Sequence, residues 1–304
     1  MKVLLMDLDV SKRRRPSPNL VLMKLSAYHK GRGDKVFLNF PLDRPDITYA
    51  SCVFTWNAKR KATVPNGATL GGSGIDLKAE LLPEVEHIMP DYSLYPNVAP
   101  LWKHSSIGFT SRGCIRKCPW CIVPEKEGQI RPWSRIYEFW DRRHRKIVLL
   151  DNNLLAAPNW RQTMEDLLAE GLEVDFNQGL DIRLVNEENV GYLKTVKTEK
   201  LRFAFDDIAY ESAVRRGIEL LLANGINSRH LSFYFLVGFS NDDAVLERVN
   251  ILQSYNVDIY PMAYKDTEGK EPARRVLEVA NLPLFHGSRR NLNKFLRLVG
   301  RLPE

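Results

Sequence analysis

From residue 107 to residue 262 the chain alternates apolar runs of strand length with amphipathic runs of helix length. Apolar runs joined through a helix cannot fold back as a hairpin, so the strands lie parallel and the expected fold class is α/β. The first run contains Ile107; the others cover residues 146–150, 173–176, 201–205, 231–237 and 257–262. Helical spacing is read after Arg131-Pro132-Trp133-Ser134, with Ile136, Phe139 and Trp140 on one face. It returns over 160–170, 186–196, 212–223 and 242–255. Six strand–helix units of this kind fit an incomplete parallel barrel, a partial (β/α)6 barrel. In such architectures polar residues at the carboxyl ends of strands point into the site. Here those ends carry Asp151-Asn152-Asn153, Gln178, Asp181 with Arg183, Asp206-Asp207, Gly238, and Tyr260 with Met262. Capping of the next helix competes with function for Asn152, Asp206 and Asp207 in equal measure. Recurrence at one end of successive strands favours function for the set.

The first unit carries Gly113-Cys114-Ile115-Arg116-Lys117-Cys118-Pro119-Trp120-Cys121, spaced C-x3-C-x2-C. Three thiolates on one short loop can hold three irons of a cuboidal 4Fe–4S cluster and leave the fourth iron open for another ligand. Two other readings stand beside it. One is a zinc site completed by a histidine such as His104 or His144, and the other is three unrelated buried thiols. The cluster is favoured because zinc sites more often use paired C-x2-C knuckles.

The residues around the loop resemble the radical S-adenosylmethionine superfamily. Ile107-Gly108-Phe109-Thr110-Ser111-Arg112-Gly113-Cys114 reads as a short strand running into a glycine turn, and Trp120 precedes the last cysteine. In that family the same spacing follows the first strand of a partial α/β barrel, with an aromatic residue at the position of Trp120 beside the cofactor's adenine. The resemblance implies that Cys114, Cys118 and Cys121 ligate the cluster and that S-adenosylmethionine chelates the open iron. Reductive cleavage would then yield methionine and a 5′-deoxyadenosyl radical that abstracts hydrogen from a substrate. The implied protein is an oxygen-sensitive enzyme served by an electron donor such as flavodoxin or ferredoxin. Asn152 and Asn153 stand where the family has a glycine-glycine-glutamate segment that contacts the cofactor's amino group. Those glycines are absent here, so the contact would fall to Asp151 or the asparagine amides. The segment 177–183, with Gln178, Asp181 and Arg183, resembles the family's third-strand segment that reaches the ribose and carboxylate. Arg183 could pair with that carboxylate in bidentate geometry. Val237-Gly238-Phe239 resembles the glycine that lets backbone approach adenine, with Tyr260 and Met262 bordering adenine or substrate.

Residues 1–80 give strand, helix, strand, strand and glycine turn, the pattern of a small Rossmann-like sheet. They are an apolar run at 2–10, helical spacing after Ser17-Pro18-Asn19, runs at 35–39 and 47–54, and Leu70-Gly71-Gly72-Ser73-Gly74. This piece resembles the degenerate cobalamin-binding domain found before the barrel in one branch of the family. Asp7 and Asp9 stand where that domain's D-x-H-x-x-G loop would begin, and Ser51 and Gly71-Gly72 fall near its serine and glycine-pair positions. Histidine is missing and Lys12 to Arg15 fill the loop, so an empty, repurposed domain is favoured over one that holds cobalamin. Residues 81–105 read as a linker in which His87 is a surface histidine, 106–265 as the barrel, and 266–304 as a C-terminal helical extension. Cys52 reads as a buried strand residue, with a catalytic thiol as the lesser alternative.

Four cysteines, three of them in one motif, argue against a disulfide scaffold and for a reducing cytoplasm. The N-terminal MKVLLMDLDV does not read as a signal peptide, and no apolar run approaches membrane-spanning length, so no membrane partner is expected. The net charge of +7 concentrates at Lys12–Arg15, Lys59-Arg60-Lys61, Arg142–Lys146 and Arg289-Arg290. Such clusters suit an anionic partner or a solvated face about equally. Family branch and charge together point to methylation or another modification of a nucleic-acid component, with small-molecule and peptide substrates left open. The non-enzyme alternative is a nucleic-acid-binding protein with a structural zinc or iron–sulfur site.

Overall fold

The first apolar run forms β1 (Lys2–Asp7), whose Val3 and Leu5 are fully buried. The computed structural model describes residues 1–10, 16–237, 239–240 and 242–264. After β1 come α1 (Leu20–Gly31), β2 (Lys35–Leu38), β3 (Ile47–Ser51), β4 (Thr69–Gly71) and α2 (Pro83–Glu86). Next are β5 (Ser105–Gly108), β6 (Ser111–Arg112), α3 (Val123–Lys126), β7 (Arg131–Pro132) and β8 (Lys146–Leu149). Then follow α4 (Trp160–Ala169), β9 (Glu173–Phe176), α5 (Asn189–Thr195), β10 (Leu201–Ala204) and α6 (Glu211–Ala223). The described part ends with β11 (Leu231–Val237), α7 (Asp242–Ser254) and β12 (Asp258–Ala263). The expected extension over 266–304 and the basic groups at 12–15 and 289–290 lie outside the described residues, as does Gly238. Among the described residues no helix is long and apolar enough to cross a membrane.

The chain divides into two compact units. One comprises the described residues of Met1–Thr110, Ile122–Gly128 and Trp133–Leu149; the other comprises Ser111–Cys121, Gln129–Pro132 and the described residues from Leu150 onward. The first unit holds a parallel sheet in the order β2-β1-β3-β4. Helix α1 starts where the Asn19 side chain accepts the N–H of Leu22, and it buries Leu22, Met23 and Leu25 against Val3 and Leu5. Val85, Leu94 and Tyr95, from the segment after the sheet, belong to the same core. The unit also holds the parallel pair β5–β8. In the second unit β10, β11 and β12 pair in parallel, and Leu180 bridges Phe203 of β10 in the same sense. Phe203, Phe205, Phe233 and Phe235 alternate along β10 and β11 and are all fully buried. Helix α6 buries Val214, Gly217, Ile218 and Leu221, the i, i+3, i+4, i+7 stripe that covers a sheet face.

Two expected elements differ. The helix expected after residue 131 is not formed: Arg131–Pro132 pairs antiparallel with Ser111–Arg112, and only Ile136–Glu138 makes a 3-10 turn. The Trp133 N–H donates to the Thr110 carbonyl (2.9 Å) and the Ser134 hydroxyl to the Phe109 carbonyl (2.7 Å), which commits the segment to its neighbours. Its apolar set, Ile136, Phe139 and Trp140, is buried all the same. The strand expected over 47–54 stops at Ser51, because the N–H groups of Val53 and Phe54 turn to the Asp9 carboxylate (2.6 and 3.3 Å).

Gly108 closes β5 under the ring of Phe139; a Cβ there would lie 2.3 Å from Phe139 Cγ. Gly108→Ala therefore forces the ring out of its place, and overpacking of this kind costs about 1–3 kcal/mol. Thermal denaturation followed by circular dichroism should show a melting temperature lower by several degrees (about 2–4 °C per kcal/mol at this size). An unchanged melting temperature would show that the ring yields freely.

Candidate functional site

The cysteine loop, residues 111–121, and the strand-end residues from 150 onward lie within the second unit. The loop is fixed at its start. Ser111 donates both its backbone N–H and its hydroxyl to Asp151 Oδ1, each at 2.6 Å, and Asp151 is buried. Asp151 thus acts on the loop rather than as a helix cap. Gly113 then takes a φ of 81°, the left-handed turn that a side chain disfavours, and delivers Cys114. No disulfide joins the cysteines. Cys114 and Cys118 are half-buried and Cys121 is exposed.

Cys114 Sγ accepts two N–H groups, from the backbone of Arg116 (3.3 Å) and from Asn153 Nδ2 (3.5 Å). Cys118 is pushed above the ordinary thiol value by burial; the nearby Arg183 charge opposes the rise, and Cys121 and Cys114 add to it. Among the described residues no three His, Cys, Asp or Glu side chains are gathered so as to hold a metal ion. His144, the zinc candidate, accepts or donates at Nδ1 to the Ser106 hydroxyl (3.1 Å) and packs edge-on against Tyr92.

Behind Cys114 stands Asp181. Its carboxylate takes Arg183 in a fork, Nε to Oδ1 at 2.6 Å and Nη2 to Oδ2 at 3.0 Å. Arg116 Nε reaches Oδ2 at 3.0 Å, and Asn153 Nδ2 lies 3.4 Å from it. Burial pushes Asp181 up, but the two guanidinium groups outweigh it and hold the carboxyl below its usual range. Arg183 also covers the Tyr210 ring at 4.3 Å. Its fork is thus already engaged within the protein. Asn153 Oδ1 is buried with no partner, an acceptor left open beside Cys114.

Trp120 packs edge-on against Phe239 (centroids 4.9 Å apart, 66° between planes). Asp206 accepts the Leu236 N–H at 2.8 Å. Burial pushes its carboxyl up to about 6, against the opposing pull of that N–H, of Arg248, of Trp120 and of Arg183. Asp207 has the other role weighed for it: it caps a 3-10 turn by accepting the Ala209 N–H. Asn152 is half-buried, and Gln178 is exposed with its amide near Asn177. Tyr260 stands edge-on to Tyr234 at 5.5 Å, with Met262 half-buried two residues on.

Four contributors are absent from the sequence expectations: Ser111, Arg116, Phe239 as a partner of Trp120, and Arg248. Arg248 is fully buried, donating to the carbonyls of Phe205 (2.7 Å) and Leu236 (2.9 Å) past the ends of β10 and within β11. A signal for it exists. Val245, Val249 and Leu252 form the apolar stripe of α7, and residue 248 falls on the same face, so an arginine there must find buried acceptors.

The Asp206 value carries a pH consequence. A carboxyl raised in the folded state stabilises most below its unfolded value of 3.8; that contribution falls as pH rises towards about 6 and is gone above it. In cluster-free protein, Asp206→Asn should therefore gain stability over wild type between pH 4 and pH 7, by about 3 kcal/mol at most. Melting curves that run parallel for the two proteins across this range would contradict the shift.

No family model and no curated protein matches the chain. Among solved structures it is similar to the apo, selenomethionine-labelled cobalamin-dependent S-adenosylmethionine radical enzyme OxsB. The TM-score is 0.49 at 14% identity, over 96% of this chain and 56% of that one. The chain thus spans little more than half the length of that enzyme.

Proposed function

We propose that this protein is a radical S-adenosylmethionine enzyme in which Cys114, Cys118 and Cys121 hold a 4Fe–4S cluster. The observation that carries the reading is the state of Cys114: its sulfur already accepts N–H groups from Arg116 and Asn153. Hydrogen bonds to cysteinyl sulfur stabilise the thiolate and tune a cluster's potential. The donor set is three thiols on one loop, the number that a cuboidal cluster with one open iron takes from the protein. When bound together, cluster and S-adenosylmethionine supply a reductively generated 5′-deoxyadenosyl radical for hydrogen abstraction.

The chain's own residues would bind and orient. The open acceptor Asn153 Oδ1 suits the cofactor's ammonium group, a role that the engaged Asp151 leaves to the amides. Arg183 would meet the cofactor carboxylate through the donors that Asp181 leaves. Trp120, edge-on to Phe239, offers a ring for adenine. Asn152, Gln178, Gly238, Tyr260 and Met262 complete the set of residues proposed for the cofactor. On this reading β5, β8, β9, β10, β11 and β12 are the six strands of the partial (β/α)6 barrel. The β2-β1-β3-β4 sheet is then the repurposed Rossmann-like domain, not a cobalamin carrier. A reduced flavodoxin or ferredoxin would supply the electron. The substrate class favoured by charge is a nucleic-acid component, methylated or otherwise modified.

Anaerobic reconstitution with iron and sulfide should give a brown protein absorbing broadly near ~400 nm. Dithionite plus S-adenosylmethionine should then release 5′-deoxyadenosine. Replacing any one of Cys114, Cys118 or Cys121 by alanine should remove most of the iron and all of the product. Asn153→Ala should keep the iron and weaken cofactor binding about tenfold, as expected for one lost hydrogen bond to a charged group. A fully loaded cluster that releases no 5′-deoxyadenosine would overturn the proposal.

A further inference from the structure

In the first unit, at the carboxyl ends of β1, β3 and β4, the chain presents large aromatic rings to solvent. Val53, Phe54 and Trp56 are 44%, 43% and 69% exposed. Phe54 and Trp56 are stacked nearly parallel, centroids 4.6 Å apart at 14°. Phe54 covers one face of the indole, and the other is open.

This loop is built rigidly. Asp9, just past β1, accepts the N–H groups of Val53 and Phe54 and the side-chain amide of Asn57 (2.9 Å). On the other side Gly72 and Gly74 press against it. A Cβ on Gly72 would lie 2.3 Å from the Cys52 carbonyl oxygen, and one on Gly74 would lie 2.8 Å from Phe54 backbone. Arg60 donates to the carbonyls of Leu8 and Val10, both at 2.7 Å. The nine-residue 3-10 helix Thr55–Thr63 is therefore fastened by Asn57 and Arg60, which share one edge because side chains three apart eclipse. By the same periodicity Trp56 and Lys59 share another edge, one turn apart. Lys59 and Lys61 are exposed, and no carboxylate among the described residues pairs with them. The sheet order places the loop at a topological switch point: β2 and β3 lie on opposite sides of β1, and ligands of open parallel sheets bind outside the carboxyl ends there.

A fixed, open π-face beside unpaired cations is the surface that stacks bases and tracks a phosphate backbone. We propose that the segment after β3 is a binding site for single-stranded nucleic acid, with a base stacked on Trp56 and the neighbouring phosphates against Lys59 and Lys61. This site uses none of the cysteine-loop residues, so it stands or falls apart from the cluster.

The test is fluorescence anisotropy of labelled single-stranded RNA and DNA oligonucleotides of mixed sequence, titrated with the full-length, cluster-free chain at several salt concentrations. Trp56→Ala should weaken binding about tenfold or more, and Trp56→Phe should retain most of it. Lys59→Ala with Lys61→Ala should flatten the salt dependence by roughly one to two ions. Circular dichroism should be unchanged in all three, since the substituted side chains are exposed. The proposal is overturned if wild-type protein binds no oligonucleotide at low salt. It is equally overturned if Trp56→Ala binds as wild type does. A further contrary result is binding of hydroxocobalamin that depends on Trp56 while oligonucleotide binding does not. Because no cluster is present, each of these results leaves 5′-deoxyadenosine formation untouched.

Discussion

The Asp181 side chain is only 6% exposed, and a charge in that position is kept only by partners that offset the loss of water. It has them in Arg183, Arg116 and Asn153, and each belongs to a different part of the second unit. Arg116 lies between the first and second cysteines of the loop. Asn153 lies past the end of β8 and also touches Cys114. Arg183 lies within the 3-10 turn Ile182–Leu184 after β9, and its charge acts on Cys118. One anion therefore orients an arginine of the cysteine loop, the amide that donates to a cysteine sulfur, and a guanidinium whose charge acts on the second thiol.

The parallel sheet of that unit separates packing from chemistry. Phe203, Phe205, Phe233 and Phe235 point to one face and are sealed there. The alternate positions carry Arg202, paired with Asp175, and Tyr234, whose hydroxyl donates to the Asn177 carbonyl. Strand periodicity makes this division automatic, since neighbours along a strand face opposite ways. At the strand ends the division breaks down: Arg248 comes from the packing side and satisfies carbonyls at the ends of two strands. Its charge is lowered in affinity for its proton by burial, and Asp206 and Asp207 oppose that.

How much of this is legible in the sequence depends on the kind of signal. Apolar runs such as 231–237 are read nearly to the residue, because burial on one or both faces leaves a local trace. The run at 47–54 misleads over its last three residues. Their composition suits a strand, yet the carboxylate that draws them out of the sheet lies about forty residues earlier in the chain. The helix expected after Pro132 fails for a similar reason, its donors being taken by Phe109 and Thr110. Asp151 is legible as a strand-end polar residue, but its bond to Ser111 is a tertiary fact. Spacing names Cys114, Cys118 and Cys121; only the fold shows which of them accepts hydrogen bonds.

Asp9 and Asp151 solve the same problem in the two units. Beyond the last ladder bond of a parallel strand, the departing backbone has N–H groups without a neighbour to receive them. In the first unit Asp9, past β1, receives those of Val53 and Phe54 after β3. In the second, Asp151, past β8, receives that of Ser111 ahead of the cysteines. Each carboxylate is acceptor-only when ionised and can take several donors at once, so it fixes the direction of the loop as well as its start. A loop so fixed loses little freedom when a ligand arrives, and the ordering cost that usually erodes affinity has been met during folding. The two loops fastened in this way are the one that bears the three thiols and the one that bears the exposed aromatic stack.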